Sequence, residues 1–166
     1  MSELSYQQNL VYERLQKGNE KVLAANEAIK GRASFVTGAS TVVVGLITAA
    51  KYLPSSADSQ GFEYILLAMV CACSISIYWF AALVWKGGKT SIPGGTDIDF
   101  LYDSYIGKKV DEAYCNFLAD LCKAKNENSE ENTMQAKRLD NMILAFMAQL
   151  ALLALAIAWT SLVDYL

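Results

Sequence analysis

Three stretches of this chain carry no charged residue and are long enough to cross a lipid bilayer. Residues 33–50 read ASFVTGASTVVVGLITAA, residues 64–85 read YILLAMVCACSISIYWFAALVW, and residues 142–163 read MILAFMAQLALLALAIAWTSLV. A helix of about 20 apolar residues spans a hydrocarbon core of roughly 30 Å. Three such blocks in a chain of 166 residues leave too little polar sequence to bury them all in a water-soluble fold. The sequence therefore predicts an all-α membrane protein with three transmembrane helices.

Composition narrows the function classes. There is no histidine, which removes the commonest general base, metal ligand and proton relay together. Net charge is −3, so bulk charge gives no reason to expect a nucleic-acid binder. Cys71, Cys73, Cys115 and Cys122 form no CxxC and have no histidine partners, so they read as small buried apolar residues of a reducing compartment rather than as a zinc site. The spans hold hydroxyls, two thiols and Gln149, but no paired carboxylates and no Ser/Lys or Ser/His arrangement. Neither an enzyme nor a cofactor or metal is expected.

The direction of the crossings follows from the lysines and arginines. The segment before the first span has five, the loop around residues 51–63 has only Lys51, the long loop before the third span has eight, and the C-terminal tail has none. This alternation places the N-terminus and the long loop in the cytoplasm and the C-terminus outside, in a bacterial inner (cell) membrane. The first apolar run begins only after a charged stretch, so the first span is expected to serve as its own signal anchor. Trp85, Trp159 and Tyr165 lie near span ends, where interfacial aromatics belong.

Residues 1–32 have heptad-like spacing, with Leu4, Gln8, Val11, Leu15, Gly18, Val22, Ala25 and Ile29 on one face and charged residues between them. This is an amphipathic helix that needs a partner surface: the membrane, its own subunit, or a second copy. Gly18 and Gly31 are candidate hinges. After the second span a Gly/Pro-rich turn leads to a helix expected from about residue 99 to 125. The polar run AKNENSEEN reads as the turn of a hairpin, with Asn128 and Glu131 as a capping box for a last helix running into the third span. The expected organisation is thus an amphipathic helix at 1–32, two spans in 33–85, a cytoplasmic helical hairpin at 86–141, and the third span with an outer tail at 142–166.

Two sets of residues are candidates for function. Ser34, Thr37, Thr41, Gly45 and Thr48 make a small, polar stripe on the first span, and Cys71, Ser74 and Tyr78 a similar one on the second. Small residues and hydroxyls also serve close helix packing, so the stripe reads either as a packing face or as a pore lining. Three helices alone cannot enclose a water path, and a pore requires oligomers. Gln149, an amide at mid-depth, either bonds a neighbouring helix or lines a lumen. In the loop, Lys108, Lys109, Lys123, Lys125, Lys137 and Arg138, with Tyr102 and Tyr105, are candidates for phosphate contacts and base stacking. From residue 86 to 140, however, eight positive charges face ten negative ones, the balance of a solvated mixed-charge surface.

The N-terminal amphipathic helix, the SIPGGTDIDFLYDSYI stretch and the AKRLDNMILAFMAQLALLALAIAW rod resemble, in order and character, the small transmembrane effectors of bacterial anti-phage defence, and most of all the ion-channel effector family of the Hailong system. The resemblance implies a homotetrameric channel held shut by an N-terminal latch, here Leu4, Val11, Leu15, Val22 and Ile29. It further implies opening by a nucleotide signal, oligodeoxyadenylate, made by a partner nucleotidyltransferase, and depolarisation of the membrane. Two other classes fit the same residues: a non-conducting membrane scaffold that docks a partner, and a holin-like pore that needs no ligand.

Overall fold

The computed structural model describes residues 3–49, 60–87, 91–92, 103 and 108–163, and side chains at all of these except 3–8, 48–49, 60, 62–63, 160 and 162–163. Among the described residues there are three helices: α1 (Glu3–Ala49), α2 (Gln60–Lys86) and α3 (Val110–Val163). Two of them, α2 and α3, are long and apolar enough to cross a membrane.

The largest departure from expectation is in α3. Its 54 residues run unbroken through AKNENSEEN, so the hairpin turn at 125–132 and the capping box of Asn128 and Glu131 do not exist. The reason is local. No glycine or proline occurs anywhere in α3, and Asn and Ser cost only a few tenths of a kcal/mol more than good helix formers. Ala, Lys and Glu in the same stretch offset much of that cost. Asp111 and Glu112 in the first turn suit the positive end of the helix dipole. The rod expected to begin near residue 130 therefore begins at Val110. The segment around residues 93–107, expected to hold the start of another helix, lies almost wholly outside the described residues.

Nor is α1 interrupted. It passes through Gly18 and Gly31 without a break, so neither is a hinge in this conformation, and the expected boundary at residue 32 falls inside one helix of 47 residues. A helical glycine costs about 1 kcal/mol, which side-chain packing on both sides of it outweighs.

The chain divides into two compact units, each built from separate pieces of sequence. The first takes residues 1–28 and 87–135; the second takes 29–86 and 136–166. In the first unit α1 and α3 lie side by side and parallel. Tyr12 meets Phe117 with ring centroids 6.1 Å apart, Lys125 lies across Gly18, Asn128 bonds Asn19, and Asn132 bonds the Val22 carbonyl. The amphipathic part of α1 thus finds its partner surface in its own chain.

In the second unit α1 and α3 again run parallel, and α2 packs antiparallel to both. Ala33 and Val36 of α1, Ile77, Ala81 and Val84 of α2, and Leu139 and Met142 of α3 form its core, with Ile29, Phe80, Ala145 and Phe146 against it. The α2 helix ends at Lys86, next to Gly87. Its exposed C-terminal carbonyls gain a donor there, because Arg138 Nη1 reaches the Leu83 carbonyl at 3.0 Å.

Among the described residues of α3, five of the seven solvent-excluded positions recur every seven residues (Leu121, Asn128, Gln135, Met142 and Gln149), with Ala124 and Leu139 beside them. A heptad spacing is the signature of left-handed coiled-coil packing. On α1 the matching residues in the first unit are Asn19 and Asn26, and in the second Ala33 and Ser40. The expected face of α1 was one residue out of phase at several points. Asn26 is buried where Ala25 is exposed, and Val11 is 46% exposed while Tyr12 makes the contact. Cysteine placement also differs from expectation. Cys71, Cys115 and Cys122 are exposed and Cys73 is half-buried, because each lies off the seams.

Candidate functional site

Within the apolar core of the second unit, three polar side chains are joined to one another. Ser40 Oγ donates to Gln149 Oε1 at 2.9 Å, Gln149 Nε2 donates to Ser74 Oγ at 3.0 Å, and Ser74 Oγ donates to the Val70 carbonyl at 3.0 Å. One directed chain of hydrogen bonds thereby ties α1 to α3 to α2. Gln149 and Ser40 have no solvent exposure and Ser74 has 7%. Of the two roles open to Gln149, the structure gives the bond to neighbouring helices within the same chain.

The outer surface of this unit also carries large apolar side chains. Phe35, Val42, Leu46, Ile75, Trp79, Leu144 and Met147 are all more than half exposed. The most apolar windows of α2 and α3 are only 28% and 11% buried within the chain. The hydroxyls on these helices are turned back onto their own backbones: Ser34 onto Lys30, Thr37 onto Ala33, Thr41 onto Thr37, Ser76 onto Ala72 and Ser161 onto Ile157. Such back-bonding leaves no hydroxyl proton seeking water. Thr41 has given its one proton to Thr37, so Tyr78 is the donor in the 2.5 Å contact between the Thr41 and Tyr78 hydroxyls.

The expected pore stripe is thus split. Ser34 and Thr41 are exposed, Thr37 is half-buried, and the Thr48 side chain lies outside the described ones. The buried polar residue on the same helix, Ser40, was not in the stripe. Its signal was the seven-residue spacing from Asn26 through Ala33, which reads as a seam only once polar residues are admitted to it.

Of the expected latch residues, Leu15, Val22 and Ile29 are half-buried, Val11 faces out, and the Leu4 side chain lies outside the described ones. The polar residues missed by the apolar pattern complete the seam. Asn128 Oδ1 accepts from the Ser91 N–H at 2.8 Å, and its Nδ2 lies 3.1 Å from the Ser91 carbonyl and 3.4 Å from Asn19 Oδ1. It ties a short piece of the chain after α2 to the α1–α3 pair.

Several of the expected ligand-binding cations have their own engagements among the described residues. Lys108 pairs with Glu112 at 3.1 Å, and Lys123 lies 4.0 Å from Glu127. Lys125 lies along Gly18, and Arg138 is engaged with the end of α2. Lys109 and Lys137 are exposed, and Tyr102 and Tyr105 fall outside the described residues. Lys137 and Arg138 belong to the second unit, and Lys108, Lys109, Lys123 and Lys125 to the first. No group of three or more acidic or cysteine side chains suited to a metal occurs among the described residues.

The chain matches no family model, no curated protein and no solved structure.

Proposed function

We propose that this chain is a three-span membrane protein whose copies assemble into a ligand-gated ion channel. The observation that carries the membrane part is the apolar exterior of the second unit, with Ser40, Gln149 and Ser74 sealed and hydrogen-bonded inside. Water would impose a penalty on that exterior, whereas lipid accepts it and demands satisfied polar groups within. Two helices meet the length and apolarity of a span; the third crossing is the uncharged stretch of α1 from residue 33. Its support is direction. Within the second unit α1 and α3 are parallel and α2 antiparallel, the arrangement that three successive crossings produce. The cation distribution then puts the N-terminus in the cytoplasm and the C-terminus outside, in a bacterial inner membrane.

The channel part rests on packing. A single chain closes its own three-helix core, so a conduction path would lie between copies, bordered by outward groups such as Ser34 and Thr41 on α1. In this reading the assembly is a homotetramer. The N-terminal part of α1, docked on α3, is the latch, and a nucleotide of the oligodeoxyadenylate type is the opening signal. The cellular outcome is depolarisation during phage infection, by analogy with the Hailong effectors.

A second reading has a specific observation in its favour. The engagement of Lys108 and Lys123 by carboxylates suits a surface that docks a protein partner better than one that captures phosphates. Ion flux from liposomes holding the purified protein separates the two. The channel reading expects flux that rises when oligodeoxyadenylate is added. A scaffold gives none under either condition, and a holin-like pore gives flux without ligand.

A further inference from the structure

One end of the second unit gathers cations from all three helices: Lys30 and Arg32 of α1, Lys86 of α2, and Lys137 and Arg138 of α3. Register sets them at one level. Ser40 and Gln149 are bonded across an offset of 109 positions, which places Lys137 and Arg138 level with positions 28 and 29 of α1. At a rise of 1.5 Å per residue, the cations of α1 and α3 then fall within roughly 6 Å of one another in height. The α2 helix runs the other way, and the 3.0 Å bond from Arg138 Nη1 to the Leu83 carbonyl brings its last turn, with Lys86, to the same level. Ala33, Val84 and Leu139, within two residues of these cations in sequence, share one buried cluster.

Among the described residues of the second unit, Asp140 is the one carboxylate at that level. Arg32, Lys86 and Lys137 are exposed, and Lys30 and Arg138 are half-buried. On each helix the apolar exterior starts within a few residues of the cations: Phe35 after Arg32, Trp85 before Lys86 and Leu144 after Arg138 are each more than half exposed.

That adjacency fixes the chemistry of the partner. A free anion or an acidic protein complements the charge and leaves the apolar surface beside it uncovered. A phospholipid with an anionic headgroup complements both, because one molecule carries negative charge next to its acyl chains. Basic clusters at a membrane surface attract such lipids about fivefold per cation.

We propose that Arg32, Lys86 and Lys137, backed by Lys30 and Arg138, form a belt that selects anionic phospholipid headgroups in the cytoplasmic leaflet. The proposal rests on the membrane reading of the second unit, and it assigns Lys137 and Arg138 to lipid instead of a nucleotide. It is tested on the full chain in phosphatidylcholine vesicles carrying a trace of acyl-chain spin-labelled phosphatidylglycerol or phosphatidylcholine. Electron paramagnetic resonance resolves the labelled lipid slowed by contact with protein. At about 0.1 M salt, phosphatidylglycerol should associate about fivefold more strongly than phosphatidylcholine, and the preference should fall toward parity at about 1 M, where screening acts within about 3 Å. The triple variant Arg32→Gln, Lys86→Gln, Lys137→Gln should reduce the preference to below about twofold. Lys17→Gln, Lys21→Gln, Lys123→Gln removes the same charge from the first unit and should leave it unchanged.

Equal slowing of both lipids by the unaltered chain would overturn the proposal, a result that needs no variant to fold. A belt variant that keeps the preference would overturn it too, as would a first-unit variant that loses it. No slowed component with either lipid would put the chain outside the bilayer and overturn the membrane reading together with the proposal.

Discussion

Ser40 and Gln149, 109 residues apart in sequence, meet through a 2.9 Å hydrogen bond in a place with no solvent exposure. The bond joins α1 to α3, and Gln149 passes the connection on to Ser74 of α2. In lipid the apolar exterior gives little drive for helices to associate, so such bonds and close packing hold them together.

Gln149→Leu should therefore destabilise the protein by about 1–2 kcal/mol, and Ser40→Ala by about 0.6 kcal/mol. The double variant should cost less than the sum, because both remove the same bond. Gln149→Glu should be the most damaging, since it adds a carboxylate at a site with no cation among the described partners. Unfolding in mixed detergent micelles, followed by circular dichroism, reads all four.

The unbroken α3 makes a sharp prediction at Ser129, an exposed residue in the middle of the stretch that resembles a turn. Ser129→Pro should cost about 3 kcal/mol or more, because it removes a helical hydrogen bond and clashes with the preceding turn. A hairpin loop at that place would accept the proline with little change in Tm.

At Gly18 the helix has no need of glycine. A Cβ there meets only the far end of Lys125, at 3.1 Å from Cε, and a lysine tip moves aside easily. Gly18→Ala should raise stability by about 0.5–1 kcal/mol through helix propensity. Chemical denaturation of the detergent-solubilised chain measures the gain.

Arg138 and the Leu83 carbonyl form a side-chain cap on α2. Arg138→Met should cost about 1–2 kcal/mol by removing the donor to the Leu83 carbonyl and one of the cations near that helix end, and Arg138→Lys should restore part of it. If Arg138 instead served mainly to bind a ligand, thermal unfolding without ligand would be the same for all three proteins.

Much of the architecture was legible in the chain. The uncharged blocks fall in the helical segments of the second unit, and the amphipathic character of the N-terminal part of α1 reflects a packed face among the described residues, through Tyr12, Asn19 and Val22. What misled were asparagine and glutamine. In the run around residues 125–132 they read as turn formers, yet Asn128 and Asn132 point into the seam and are held by Ser91 and the Val22 carbonyl. On α1, treating the seam as apolar selected Gly18 and Ala25 in place of Asn19 and Asn26. Polar residues at heptad positions specify register at a cost in stability, and only the partner helix shows that the cost is met. The candidate site was less legible than the fold. Of the candidate cations, Lys108 and Lys123 face carboxylates on their own helix and Arg138 the end of α2, engagements that sequence proximity does not show.

The most direct test of the account is the environment of the second unit's outer face. Spin labels at positions 75, 79 and 144, introduced one at a time into a variant lacking the four native cysteines and reconstituted in liposomes, report collisions with oxygen and with a water-soluble nickel complex. Those positions carry Ile75, Trp79 and Leu144, which are 71%, 65% and 71% exposed. The account predicts high collision rates with oxygen and very low rates with nickel at all three. Nickel collisions matching those of a label on an exposed residue of the first unit, such as Ser129, would contradict it.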